Sequence, residues 1–206
     1  MSDQMSLDGF EPKAERLHNL FLALMPDACA ATQAQELAMD LGRAQGVAVK
    51  AERSARFHVT LFHVGNFLGE VPAGVMRTAR DVAEGIAASP FDVSFGRVGS
   101  FHGKPGRLPV VLQGATSSAL MSFQAALDQQ MKRAGLTQGE HHRQFTPHLT
   151  LFYGRSPVPD QAITPIAWRA RDFVLIRSVV GEGIYIEEGR WPLRAASTST
   201  KPASNE

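Results

Sequence analysis

One five-residue pattern written twice constrains this chain more than any other feature. Residues 57–62 read FHVTLF and residues 147–152 read PHLTLF, so His-x-Thr-Leu-Phe recurs at a separation of ninety residues (148 − 58 = 90). Each copy lies in an apolar run of strand character, and side chains on a strand alternate between faces. Such alternation sets His58, Thr60 and Phe62 on one face and Val59 and Leu61 on the other. The second copy repeats this with His148, Thr150 and Phe152 against Leu149 and Leu151. A chain that repeats such a unit is expected to fold as two related halves about a pseudo-two-fold axis. Each half then delivers one imidazole and one hydroxyl to a shared cleft.

The remaining pattern supports a mixed fold. Leu17 to Met25 (LHNLFLALM) reads as a buried strand, closed by Pro26-Asp27 at a helix start. Helices are expected from about Asp27 to Arg43, over Val71 to Ala88, and most clearly over Ser117 to Ala134. In the last of these, Leu120, Phe123, Leu127 and Met131 recur at helical spacing and Gly135 is the stop signal. Strands are expected at Phe57–Val64, Phe91–Phe101, Leu108–Leu112, Pro147–Tyr153, Arg171–Val180 and Gly183–Glu187, and the final Arg190-Trp191-Pro192-Leu193 closes the core. Residues 1 to about 16 and the end AASTSTKPASNE are polar and read as loose tails, leaving a single bilobal domain over 17–194.

Composition narrows the function classes. With 206 residues and a formal net charge of +1, the molecule as a whole does not attract polyanions, so any nucleic-acid contact needs a local basic patch. Cys29 is the one cysteine, which rules out an intrachain disulfide and a cysteine-based zinc site. No apolar run reaches the length of about 18 residues needed to span a membrane, and the polar N-terminus does not read as a signal peptide. A monomer in a reducing cytoplasm, with no membrane association, is the expectation.

Two imidazoles facing one volume suit phosphoester chemistry. With ordinary pKa values near 6.5, one is neutral and acts as base while the other is protonated and acts as acid. The threonine hydroxyls can donate to non-bridging phosphate oxygens, where charge builds in the transition state. This scheme needs no cofactor and no metal. A metal site built from His58, His148 and the His141-His142 pair is the competing reading, but no carboxylate or cysteine falls at a ligand spacing.

At these residues the chain resembles the two-histidine (2H) phosphoesterases, and within them the bacterial RNA 2',3'-cyclic phosphodiesterases, also called 2'-5' RNA ligases. The resemblance extends to NLFLALMPD, GSFHGKPGRLPVVL, FTPHLTLFYGR, RDFVLIRS and the terminal GRWPL, covering most of residues 17 to 194. It implies a bilobal α+β fold with an antiparallel sheet in each lobe around a central groove. The implied activity is metal-independent hydrolysis of an RNA 2',3'-cyclic phosphate to a 2'-phosphate, reversible as 2'-5' ligation to a 5'-hydroxyl. Carried over, His58 and His148 are the catalytic pair and Thr60 and Thr150 hold the phosphate. The residues leave open which histidine is acid and which is base; the family's habit points to His58 as donor. Some members carry an arginine where this chain has Tyr153, and Arg155 is the candidate substitute.

Further candidates are weaker. Phe62 and Phe152 are expected to share the histidine face, either stacking on a base or packing in the core. The basic loop from Phe101 to Arg107, with Lys104, is a candidate for the terminal base and phosphates, and His141, His142 and Arg143 for an RNA track. His63 falls on the Val59/Leu61 face and reads as structural; Cys29 reads as a buried small residue. The partners are RNA ends or small nucleotides bearing a 2',3'-cyclic phosphate. The alternatives are a phosphodiesterase for small cyclic nucleotides or 2'-5' oligonucleotides, and a nucleotide- or RNA-binding module without turnover.

Overall fold

The computed structural model describes residues 15–114, 117–136 and 145–195. Most of both expected tails, and His141, His142 and Arg143, lie outside the described residues. Along the chain run β1 (Leu17–Leu24), α1 (Ala28–Ala44), a 3-10 helix (Ala51–Arg56), β2 (Val59–Leu68), α2 (Ala73–Glu84), β3 (Phe91–Ser100) and β4 (Leu108–Gln113). They are followed by α3 (Ser118–Arg133), β5 (Leu149–Gly154), β6 (Gln161–Ala170), β7 (Asp172–Val179) and β8 (Ile184–Pro192).

The strands form two four-stranded antiparallel sheets, ordered β2-β1-β7-β8 and β5-β4-β3-β6. The α+β class and the two-lobed arrangement thus agree with the sequence reading. By position in its sheet, β2 corresponds to β5, β1 to β4, β7 to β3 and β8 to β6. In each lobe a helix joins the inner strand to the edge strand that carries the motif: α1 between β1 and β2, α3 between β4 and β5. The helices then cross over, with α1 packing on β5 and β6 and α3 contacting β2. The main apolar core is shared by both sheets, with Leu20, Leu22, Leu61, Leu112, Leu127, Leu151 and Phe173 all in it, and a smaller cluster of Phe21, Ala23, Val174 and Ile176 lies apart from it.

Local chemistry explains the helix starts. Asp27 caps α1 by accepting from the Ala30 N–H at 2.9 Å, and Ser117 caps α3 by accepting from the Leu120 N–H at 3.2 Å. The buried face of α3 is Leu120, Phe123, Leu127 and Met131, the four residues whose spacing marked it. Trp191 packs on Phe173 at 5.6 Å between ring centroids, and Leu193 is buried, closing the core as expected.

Two elements differ from the sequence reading. β6 went unread because Pro165 interrupts it; β6 is an edge strand, where a missing N–H costs little, and its buried residues Ile166, Trp168 and Ala170 do alternate. Cys29 is exposed in the first turn of α1 rather than buried, because the inward face of that helix is taken by Ala30, Ala34 and Ala38. Among the described residues no helix is long and apolar enough to cross a membrane.

Candidate active site

Each motif breaks strand alternation at the same place. Leu22 of β1 opposes Phe62 while Ala23 opposes Thr60, so Leu61 is an extra residue in β2. On the other sheet Val110 opposes Phe152 while Val111 opposes Thr150, so Leu151 is extra in β5. These are β-bulges, one in each motif, at equivalent positions. The side-chain amide of Gln124, on α3, donates to the Leu61 carbonyl at 3.2 Å and ties down the first of them.

The bulges re-aim everything beyond the threonines. Phe62 and Phe152 are 1% and 2% exposed and sit in the core beside Leu61 and Leu151, not on the histidine face. Their candidacy as cleft-face base-stacking residues is corrected accordingly: a bulge puts two consecutive side chains on the buried side. The same shift turns His63 and Tyr153, five residues after each histidine (63 − 58 = 153 − 148 = 5), toward the cleft. His63 is therefore a cleft residue, contrary to its reading as purely structural.

The cleft between the two edge strands has a volume of about 510 Å³ and is lined by His58, Thr60, His148 and Thr150 together. That is within the range of small-ligand sites, roughly 300–1,000 Å³. Both imidazoles are oriented alike. His58 Nδ1 lies 2.8 Å from the carbonyl oxygen of Arg56, and His148 Nδ1 lies 2.8 Å from that of Thr146. A carbonyl only accepts, so each Nδ1 carries the proton and donates it. Nε2 is then the nitrogen of each ring that can exchange a proton with a substrate. Aromatic rings fix the imidazole planes: Phe21 at 4.8 Å and Tyr185 at 5.7 Å from His58, and Phe101 at 5.0 Å from His148, between centroids.

The lining also holds Arg56 and Arg107, and no Asp or Glu is among the described residues that form it. The field in the cleft thus favours an anion. Lys104 and Arg155, proposed for substrate contact, are exposed and outside the lining; within the Phe101–Arg107 loop, Arg107 is the residue that reaches the cleft. Among the described residues, no group of three or more His, Cys, Asp or Glu side chains is close enough to hold a metal ion.

His63 is half-buried, and burial pushes its pKa below the ordinary 6.5, with a hydrogen bond to Asn66 opposing the shift. Below the ordinary value the unfolded chain binds more protons than the folded one, so stability falls as pH drops from there through the folded value. Replacing His63 with Gln is expected to lessen the loss of stability between about pH 7.5 and about pH 5.5. Denaturant midpoints at the two pH values check this, and an undiminished acid loss in the variant contradicts it.

With two imidazoles held alike over two threonines in one cleft, the comparison with known proteins is informative. The 2'-5' RNA ligase superfamily profile matches residues 19–182. The chain belongs to the 2'-5' RNA ligase superfamily. No curated protein matches it at significance. Among solved structures it is similar to Escherichia coli LigT in its apo form, at 20% identity and a TM-score of 0.66, over 87% of this chain and 99% of that one. It is similar to LigT complexed with 3'-AMP, at 21% identity and a TM-score of 0.62, over 88% of this chain and 99% of that one. TT0787 of Thermus thermophilus is similar at 20% identity and a TM-score of 0.68, over 86% of this chain and 98% of that one. These likenesses establish the fold, shared with LigT and TT0787.

Proposed function

We propose that the protein is an RNA 2',3'-cyclic phosphodiesterase, hydrolysing a terminal 2',3'-cyclic phosphate to a 2'-phosphate by acid/base catalysis between His58 and His148. The observation that carries this is the matched pair of imidazoles. Each has its Nδ1 committed to a backbone carbonyl two residues earlier, each has a threonine two residues later, and all four side chains line one cleft.

The chemistry follows from that arrangement. The neutral imidazole takes a proton from water at its Nε2 as the water oxygen bonds to phosphorus. The P–O3' bond breaks on the far side, and the imidazolium of the other histidine gives its Nε2 proton to the departing 3'-oxygen. The products are a 2'-phosphomonoester and a free 3'-hydroxyl, and the histidines have exchanged protonation states. Thr60 and Thr150 donate to the non-bridging oxygens, whose charge rises as the fifth ligand adds. A 5'-hydroxyl in place of water turns the same reaction into 2'-5' ligation. The complex of LigT with 3'-AMP shows a nucleotide bound by a protein of this fold, which supports a nucleotide substrate here.

The test is incubation, with EDTA present, with an oligoribonucleotide ending in a 2',3'-cyclic phosphate, and identification of the product. A 2'-phosphate is expected. A 3'-phosphate, or no turnover by folded protein, would count against the assignment.

A further inference from the structure

The two ends of the cleft are not alike. Counting back three residues from the equivalent bulge partners Leu22 and Val110 makes Asn19 and Arg107 equivalent (22 − 19 = 110 − 107 = 3), as His63 and Tyr153 are. The pseudo-two-fold axis thus sets an amide and an imidazole at one end against a guanidinium and a phenol at the other.

At that second end the guanidinium carbon of Arg107 stands 4.8 Å from the centroid of the Tyr153 ring, a cation–π arrangement. The backbone beneath it is tightly held. The Arg107 N–H donates to the Lys104 carbonyl at 2.9 Å across the Pro105-Gly106 turn, in which Gly106 has φ +72°. Gly103 closes the loop: a Cβ there would lie 2.8 Å from the Arg107 carbonyl oxygen. The Arg107 side chain, by contrast, is exposed, and Tyr153 is 44% exposed. A cation on the rim is placed for a charge beyond the group that reacts between the imidazoles. Arg56, the other guanidinium of the cleft, is half-buried at the turn between β7 and β8, its Nη1 2.5 Å from where a Cβ on Gly183 would stand.

We propose that Arg107, stacked on Tyr153, binds the phosphodiester that precedes the terminal nucleotide, so that the cleft prefers an oligoribonucleotide end of two nucleotides or more over a mononucleotide. This rests on reading the cleft as a cyclic-phosphate site and assigns that site its substrate class. The planar fork of arginine suits two phosphate oxygens, and the tyrosine ring holds the fork flat.

The test is the ratio of kcat/KM for a dinucleotide and a mononucleotide, both ending in a 2',3'-cyclic phosphate. Arg107→Ala is expected to lower that ratio about tenfold, the scale of one exposed charge-assisted contact, and to make the dinucleotide rate less sensitive to salt. Tyr153→Leu should lower the ratio too, and the double variant no further than Arg107→Ala. Arg56→Ala should leave the ratio as it is, whatever it does to either rate. A ratio unchanged by Arg107→Ala, including one in which both rates fall together, overturns the proposal, as does a ratio that collapses with Arg56→Ala instead. The same ratio is read from dissociation constants for a dinucleotide and a nucleoside that each end in a 3'-phosphate. That readout needs no turnover, so failure of the enzymatic reading and failure of the Arg107 proposal are seen separately.

Discussion

Alanine at His58 or at His148 is expected to lower kcat on a cyclic-phosphate oligonucleotide by about 10²–10⁴-fold, the range for loss of a positioned general acid or base. The double variant should be little slower than the worse single one, because a base without its acid completes no turnover and the two act as a unit. Oligonucleotide affinity should survive, since the arginines and threonines of the cleft remain. Steady-state rates set beside binding isotherms separate the two effects. Were affinity lost along with turnover, the imidazoles would be binding groups and the cleft a recognition site without chemistry. The variants should also remain folded: both rings are half-buried and lie at the cleft rather than in the core.

Phe62→Ala and Phe152→Ala should act on stability instead. Each ring is almost fully buried in the core shared by the two sheets. Truncating such a residue costs about 3–5 kcal/mol, in transfer free energy and in the cavity left behind. For a chain of this size that is a fall in Tm of about 10 °C. Each variant should fold at low temperature, and its folded fraction should retain most of its affinity for nucleotide. A variant of normal melting temperature but weakened nucleotide binding would mean that the ring meets the substrate. Calorimetry and ligand titration on the same sample distinguish these outcomes.

The sequence made the shared cleft legible before the path of the strands that form it. The repeated His-x-Thr pointed to a cleft shared by both histidines and both threonines, and the four do line one, because residues two apart on a strand share a face until something interrupts it. The interruption was also written in the sequence, as the adjacent Leu61-Phe62 and Leu151-Phe152. On an edge strand buried on one face, two consecutive large apolar residues cannot both be buried by strict alternation, so each pair is consistent with a bulge. Reading Phe62 and Phe152 by plain alternation put them on the wrong face, and it hid His63 and Tyr153, which the bulges bring round to the cleft. Arg107 was visible only as part of a basic loop, because its place at the cleft depends on β4 pairing with β5, a contact distant in sequence. The strand over Gln161–Ala170 was masked by Pro165, whose tolerance depends on an edge position that only the assembled sheet reveals.

The order in which the chain builds its two sheets bears on when a working centre exists. The sheet carrying His148 is assembled from one uninterrupted stretch, β3 to β6. The sheet carrying His58 is split: β1 and β2 come early, but their partners β7 and β8 are the last strands of the chain, so that Leu22 pairs with Leu175 across the whole of the other lobe. Closing a loop of that length is entropically costly and is repaid only when the core is completed. During synthesis both histidines leave the ribosome well before the strand that secures the first of them. A nascent chain that stops short of β7 therefore holds both histidines and both threonines while lacking Ser178 and Tyr185, which line the same cleft. The cleft is closed only when β7 and β8 join their sheet, so a chain shortened before β7 is expected to lack it.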